Sequence, residues 1–168
     1  MKNQKIFLLL SLFWLAIIGV FIGIKEFTLR TGQEVLLKTR PVDPRDIFRG
    51  DYVILNYDIS SVDVGVNNNF TNGDKVYVGL DVRGNYAIAT GAYTVPPSNM
   101  LFIEGVVKRA SDRSIQVEYG IESYFVPEGK GGVLERAGSN LEVRAAVDKG
   151  GNAVIKSLLI GGKEVDLK

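Results

Sequence analysis

Nineteen consecutive residues without a charge, Ile6 to Ile24 (IFLLLSLFWLAIIGVFIGI), constrain this chain more than any other feature. Wound as a helix at ~1.5 Å per residue, the run spans about 28 Å, close to the thickness of a bilayer's hydrocarbon core. A cleavable signal would have a shorter apolar stretch, about 7–15 residues, ending in an Ala-x-Ala-like site. No such site is present: Gly23 has Phe21 two residues before it, and Gly19 has Ile17. The run reads as an uncleaved single-pass anchor. Residues 1–5 precede it, 25–33 form a juxtamembrane linker, and 34–168 form the folded domain. Lys2 and Lys5 lie before the run, and Lys25, Glu26 and Arg30 after it. The more basic flank stays in the cytoplasm. This predicts an inner (cytoplasmic) membrane protein with its N-terminus inside and its C-terminal domain outside. Gly19 and Gly23 form a small-xxx-small pair that lets another helix approach closely, although one such pair is also ordinary glycine usage in a membrane helix.

The rest of the chain is nearly neutral. Without Lys2 and Lys5 it carries 18 basic against 19 acidic residues, with no basic block, which argues against a nucleic-acid partner. There is no cysteine and no histidine. Disulfides, thiolate nucleophiles, Fe–S clusters, His-ligated metals and His-dependent triads are all excluded. Catalysis would have to rest on Asp, Glu, Lys, Ser, Thr or Tyr. We therefore expect no enzyme, no cofactor and no metal.

Beyond the helix, which Thr31-Gly32 should stop, the chain reads as strands between turn signals. Val35–Thr39 is the first. In Asp51–Ile59, Val53, Leu55, Tyr57 and Ile59 alternate with Tyr52, Ile54, Asn56 and Asp58, which predicts a half-buried strand. Lys75–Val82, Tyr86–Tyr93, Leu101–Arg109, Ile115–Ile121, Leu141–Asp148 and Ala153–Ile160 follow, with a short terminal strand after Gly161-Gly162 and one short helix at Gly132–Ala137. No crossover helices are available, so a parallel α/β sheet is excluded. The fold class is mainly β: one membrane helix, then a barrel- or sandwich-like domain.

The most unusual segment is RPVDPRDIFRGDYVILNYDI, Arg40 to Ile59. Arg40, Arg45 and Arg49 interleave with Asp43, Asp46 and Asp51, while Pro41 and Pro44 prevent a regular helix. Gly50-Asp51 makes a turn into the following strand, and Gly73-Asp74 repeats the device 23 residues later. The repetition favours a structural corner over a catalytic aspartate. Six charges in twelve residues form either a surface ion-pair network or a docking patch, with Arg suited to bidentate contacts.

Gly50-Asp51-Tyr52-x-x-Leu55-x-Tyr57 resembles, position by position, the signature of the bacterial GDYXXLXY proteins. Arg-Pro-x-Asp-Pro-Arg-Asp before it, Tyr124-Phe125-Val126-Pro127-Glu128-Gly129 and the Leu158–Val165 ending are similar to that family too. The resemblance covers nearly the whole domain and implies a membrane-anchored envelope protein. The family carries no assigned activity, so no reaction is implied. Its members are often encoded beside a multi-pass membrane protein, which implies a membrane partner. Within the motif, Leu55 and Tyr57 fall on the core face. Tyr52 falls on the other, which makes it the candidate for contact alongside the Arg/Asp cluster.

Two other functions compete with an interaction module. Arg49-Gly50-Asp51 and Val126-Pro127-Glu128-Gly129 also resemble type I signal peptidases, which use a Ser nucleophile and a Lys of lowered pKa. No serine lies between the anchor and Arg49, so at most an inactive relative is expected. An envelope ligand-binding domain is the other reading. Glu118, Glu122, Glu128 and Glu135 could supply oxygens, but no spacing matches a calcium loop. Oligomeric state is not legible.

Overall fold

The computed structural model describes residues 2–40, 48–49, 52–66, 68–127, 134 and 137–166. The helix α1 (Lys2–Thr31) contains the whole apolar run. It is long and apolar enough to cross a membrane, and Phe7, Phe13, Trp14 and Phe21 stand exposed along it. α1 runs on through residues 25–31 and ends at Thr31, where Thr31-Gly32 is expected to stop it, and this end of the helix has partners of its own. Arg30 Nε meets Glu26 Oε1 one turn earlier at 2.5 Å, and Thr28 is fully buried against the domain.

Among the described residues twelve strands follow: β1 (Gln33–Lys38), β2 (Phe48–Arg49), β3 (Tyr52–Ile54), β4 (Ser61–Asp63), β5 (Lys75–Arg83), β6 (Tyr86–Tyr93), β7 (Leu101–Ala110), β8 (Ser114–Glu118), β9 (Ser123–Phe125), β10 (Leu141–Val147), β11 (Ala153–Ile160) and β12 (Lys163–Glu164). Single 3-10 turns lie at Asp58–Ser60 and Gly138–Asn140. The helix expected over Gly132–Ala137 falls largely outside the described residues.

Nine strands form one sheet in the order β12-β11-β10-β1-β6-β5-β7-β8-β4, and β2-β3-β9 form a small second one. Every pairing is antiparallel except β1 with β6, which meet in parallel at Leu36↔Tyr86 alone. The large sheet curls on itself as a barrel does. β4 comes against β6, and the β10–β11 turn docks on the first part of β7, ahead of its pairing with β8, where the Glu104 amide donates to the Gly151 carbonyl at 2.8 Å. The curl encloses Val35, Leu37, Val76, Val78, Ile103, Val107, Ile115, Val143 and Ala145, alternate residues of their strands. This is the mainly β, barrel-like class that the alternation predicts.

The expected long strand over Asp51–Ile59 is shorter. Pairing in β3 ends at Ile54, and the chain then passes through an isolated bridge at Tyr57 into the 3-10 turn. Its faces are as the alternation predicts: Val53, Leu55, Tyr57 and Ile59 are buried, while Tyr52, Asn56 and Asp58 are exposed.

Candidate functional site

The site is built around the two ends of β1. At its start, α1 ends against the β10–β11 turn. Thr28 Oγ1 donates to Asp148 Oδ2 at 2.7 Å. The Asp148 carboxylate also accepts the Gly150 and Asn152 amides and the Asn152 side chain. Burial pushes the Asp148 pKa up, but the hydrogen bonds from Thr28, Asn152 and Gly150 together outweigh it and hold the group below the usual carboxylate value. Gly32 makes the junction possible. A Cβ there would lie 2.6 Å from the Thr28 carbonyl oxygen and 3.0 Å from the Val147 nitrogen, both backbone atoms that cannot swing aside.

At its other end β1 parts from β6. The Leu36 amide donates to the Asn85 carbonyl, and no further β1–β6 pairing follows. The motif segment takes the vacated place beside β1: Thr39 bridges Tyr57, and the Arg40 amide donates to the Asn56 carbonyl at 2.8 Å. Two tyrosines hold that segment down. Tyr57 donates its hydroxyl to the Ile121 carbonyl, and Tyr119 donates to the Ile59 carbonyl, each at 2.5 Å. The pair is reciprocal, since each tyrosine bonds the residue two positions beyond the other. Burial first, then the neighbouring Glu122 carboxylate, raises both phenol pKa values above the ordinary tyrosine range. The second tyrosine was findable: Tyr119-Gly120-Ile121 repeats the Tyr-x-Ile spacing of Tyr57-Asp58-Ile59.

Between the parted strands lies a cleft of about 480 Å³, lined by Lys38, Asp58, Ile59, Ser61, Arg83 and Tyr86–Ala89. Its rim is charged. Arg40 Nε meets Asp58 Oδ1 at 2.9 Å, and Arg83 Nε meets Asp81 Oδ2 at 2.8 Å. Lys38 has no carboxylate within salt-bridge distance among the described residues, and its ammonium sits 4.9 Å from the centre of the Tyr86 ring. The Tyr86 hydroxyl donates to Glu142 Oε1 at 2.6 Å, the first cause of its raised pKa.

Of the residues singled out from sequence, Arg40 lies at this rim, paired with an aspartate outside its own cluster. Asp43, Arg45, Asp46, Gly50 and Asp51 lie outside the described residues, as does the side chain of Arg49, whose backbone pairs with Tyr52. Tyr52 is 49 % exposed and packs edge-on against Phe125, 5.7 Å between ring centres, on the outside of the small sheet and not in the cleft. Leu55 and Tyr57 are buried. Gly73 has φ +92°, and Asp74 Oδ2 accepts the Thr71 amide at 2.7 Å, so this Gly-Asp is a turn. Gly19 and Gly23 face open space. Glu118 is paired with Lys108 and Glu122 accepts the Tyr119 amide, while Glu128 and Glu135 lie outside the described residues. Sequence reasoning missed Lys38, Arg83, Tyr86 and Ile88 in the cleft, and Thr28 and Asp148 at the junction. Their arrangement comes from strand order, not from local spacing.

The adjacent Lys156 and Ser157 are the nearest approach to a Ser/Lys dyad along β11. A bulge between Ile155 and Ser157 turns Lys156 outward, where its ammonium meets Glu34 Oε1 at 2.5 Å. The Ser157 hydroxyl is buried with no hydrogen-bond partner. The lysine is engaged with a carboxylate, not with the hydroxyl.

The family model described as GDYXXLXY protein matches residues 14–158, most of the chain. No curated protein and no solved structure matches it. The chain belongs to the GDYXXLXY family.

Proposed function

For this member of the GDYXXLXY family we propose a non-enzymatic, membrane-anchored envelope module that docks a multi-pass membrane partner. The N-terminus is cytoplasmic in this reading, and the β domain lies outside the inner membrane. The continuity of α1 into the domain carries the proposal. Thr28, Gly32 and Asp148 leave no slack between helix and sheet. A loose tether would serve a domain that acts alone. A docked helix gives a partner in the same bilayer a binding surface at a fixed height and angle. The open Gly19/Gly23 face leaves room for a partner helix as well.

Two measurements test this reading. A C-terminal reporter active only outside the cytoplasm should be active, and a silent reporter would overturn the orientation. Purification of the full chain from native membranes in mild detergent should bring down a multi-pass membrane protein. Charge reversal at Arg45 and Arg49 should reduce recovery, as should Tyr52→Ala. Recovery of the chain alone would overturn the docking role.

A further inference from the structure

A second uncharged run lies inside the β domain. The 20 residues from Gly84 to Ile103 contain no Asp, Glu, Lys or Arg, and they supply β6, the start of β7 and the loop between them. Core burial explains only part of this run. Tyr93, Val95 and Met100 are exposed, Val95 to 68 %, and Pro96-Pro97 stiffens the loop that carries them. The loop is held in place. β5 lies between β6 and β7, and the loop crosses the outer face of β5 at Gly79. A Cβ on Gly79 would meet Met100 Sδ at 2.6 Å, Thr90 Oγ1 at 2.8 Å and the Tyr93 ring at 3.1 Å.

Strand direction brings this loop back to the anchor side of the domain. β1 leaves the end of α1, so it runs away from the bilayer. β6 is parallel to β1, and β5 is antiparallel to both β6 and β7. β7 therefore runs the same way as β1 and starts on the side of the anchor. The contacts agree. Phe102 packs on Gly151, and the Glu104 amide donates to the Gly151 carbonyl, in the turn whose Asp148 holds Thr28. Thr28 lies four residues past Ile24, ~6 Å along the helix, and the headgroup layer is about 5–8 Å deep on each side of a bilayer. Met100 is two residues before Phe102, ~7 Å at most.

We propose that the β6–β7 loop is a second membrane contact, with Tyr93, Val95 and Met100 entering the lipid headgroup layer beside α1 and fixing the tilt of the domain. Tyrosine and apolar side chains are favoured at that depth, and a loop without charges enters it with no ion to desolvate. This rests on the anchoring of α1 in the reading above, and not on the partner.

The far end of β7 provides the comparison. Val66 is 63 % exposed, and its neighbour Val64 donates its amide to the Arg113 carbonyl in the β7–β8 turn. The chain has no cysteine, so Val95→Cys and Val66→Cys each give a single site for an NBD fluorophore. Trp14, the one tryptophan, reports the anchor in the same samples. The full chain is reconstituted alone in nanodiscs of phosphatidylethanolamine and phosphatidylglycerol. Lipid with a nitroxide on its headgroup should quench the label at position 95 several-fold more strongly than at position 66. Met100→Asp should bring quenching at 95 down towards that at 66, with a melting curve to show that the fold is kept. Quenching at 95 no greater than at 66, while lipid with brominated chains quenches Trp14, overturns the loop contact, leaves the anchor standing and gives the loop to a protein partner. If Trp14 is not quenched, α1 is outside the bilayer and both readings fall.

Discussion

The two ends of β1 are built on opposite principles. At Gln33 the strand emerges from a junction in which a glycine is required, a threonine is fully buried and an aspartate accepts hydrogen bonds from Thr28, Gly150 and Asn152. At Lys38, only five residues on, the strand has lost its β6 neighbour, and charged side chains line open space. Tight packing fixes position at the first end, and at the second the charged side chains of Lys38, Asp58 and Arg83 line a cleft. The motif segment produces the second end. Tyr57 and Ile59 fill the bottom of the fork and keep β1 and β6 apart. The family signature therefore belongs to the construction of the cleft, and its buried tyrosine is as much a part of the site as any residue on the rim.

The contrast is sharpest if the wedge is removed. Tyr57→Ala deletes a fully buried ring and leaves the Ile121 carbonyl without its donor. A loss of about 3–5 kcal/mol is expected, the largest of these effects, read as a fall in melting temperature of the full chain in detergent. An unchanged melting curve would mean that the latch does not hold the fork. At the junction, Gly32→Ala forces a Cβ against two backbone atoms and should cost about 1–3 kcal/mol. If it costs nothing, the junction is looser than its geometry implies, and the argument for a fixed domain angle is lost.

Thr28→Val keeps the shape and removes one donor from Asp148, for an expected loss of about 1–2 kcal/mol. The pH profile identifies the cause. The Asp148 pKa is lowered by folding, so its contribution is present above the unfolded carboxylate value and is lost as pH falls through the folded one. Thr28→Val should flatten that acid limb. The latch acts at the opposite limb. Tyr57 and Tyr119 have raised pKa values, so the unfolded chain ionises first and stability falls as pH rises past about 10. Tyr57→Phe should make that fall shallower. If it is equally steep, the buried phenols are not its source.

How much of this was legible in the sequence follows from the range of each interaction. Tyr86–Tyr93 and Ala153–Ile160 occupy the bounds expected of them, because turn residues beside a clean run are local signals. The burial of Val53, Leu55, Tyr57 and Ile59 was equally legible, since alternate side chains of any extended segment face opposite ways. The end of pairing at Ile54 was not, because it depends on where β9 lies. The Arg/Asp cluster suggested partners within itself, but Arg40 is paired with Asp58, 18 residues on, since the chain doubles back beside β1. Thr28 and Asp148 are 120 residues apart. Nothing in the spacing of either betrays the other. Only the order β11-β10-β1 brings them together, and the same order opens the fork.

The smallest expected effect separates the two ends most cleanly. Arg40 and Asp58 form an ion pair in which both side chains are about half exposed. Such pairs gain little over hydrated charges, so Arg40→Ala should change stability by only about 0–1 kcal/mol, and by less as salt is raised. A larger loss would make the rim a structural clamp like the junction. If the loss is as small as expected, holding β1 in place does not explain the pair. Its remaining consequence is electrostatic: it neutralises Asp58 at the mouth of the cleft. Arg40→Ala would then change the charge at the mouth of the cleft, where Lys38 and Asp58 both line the opening, although the fold is unchanged. A variant that melts like the parent yet recovers less partner would place Arg40 at the binding end of β1. Equal recovery would mean that the Arg40–Asp58 pair has no part in docking.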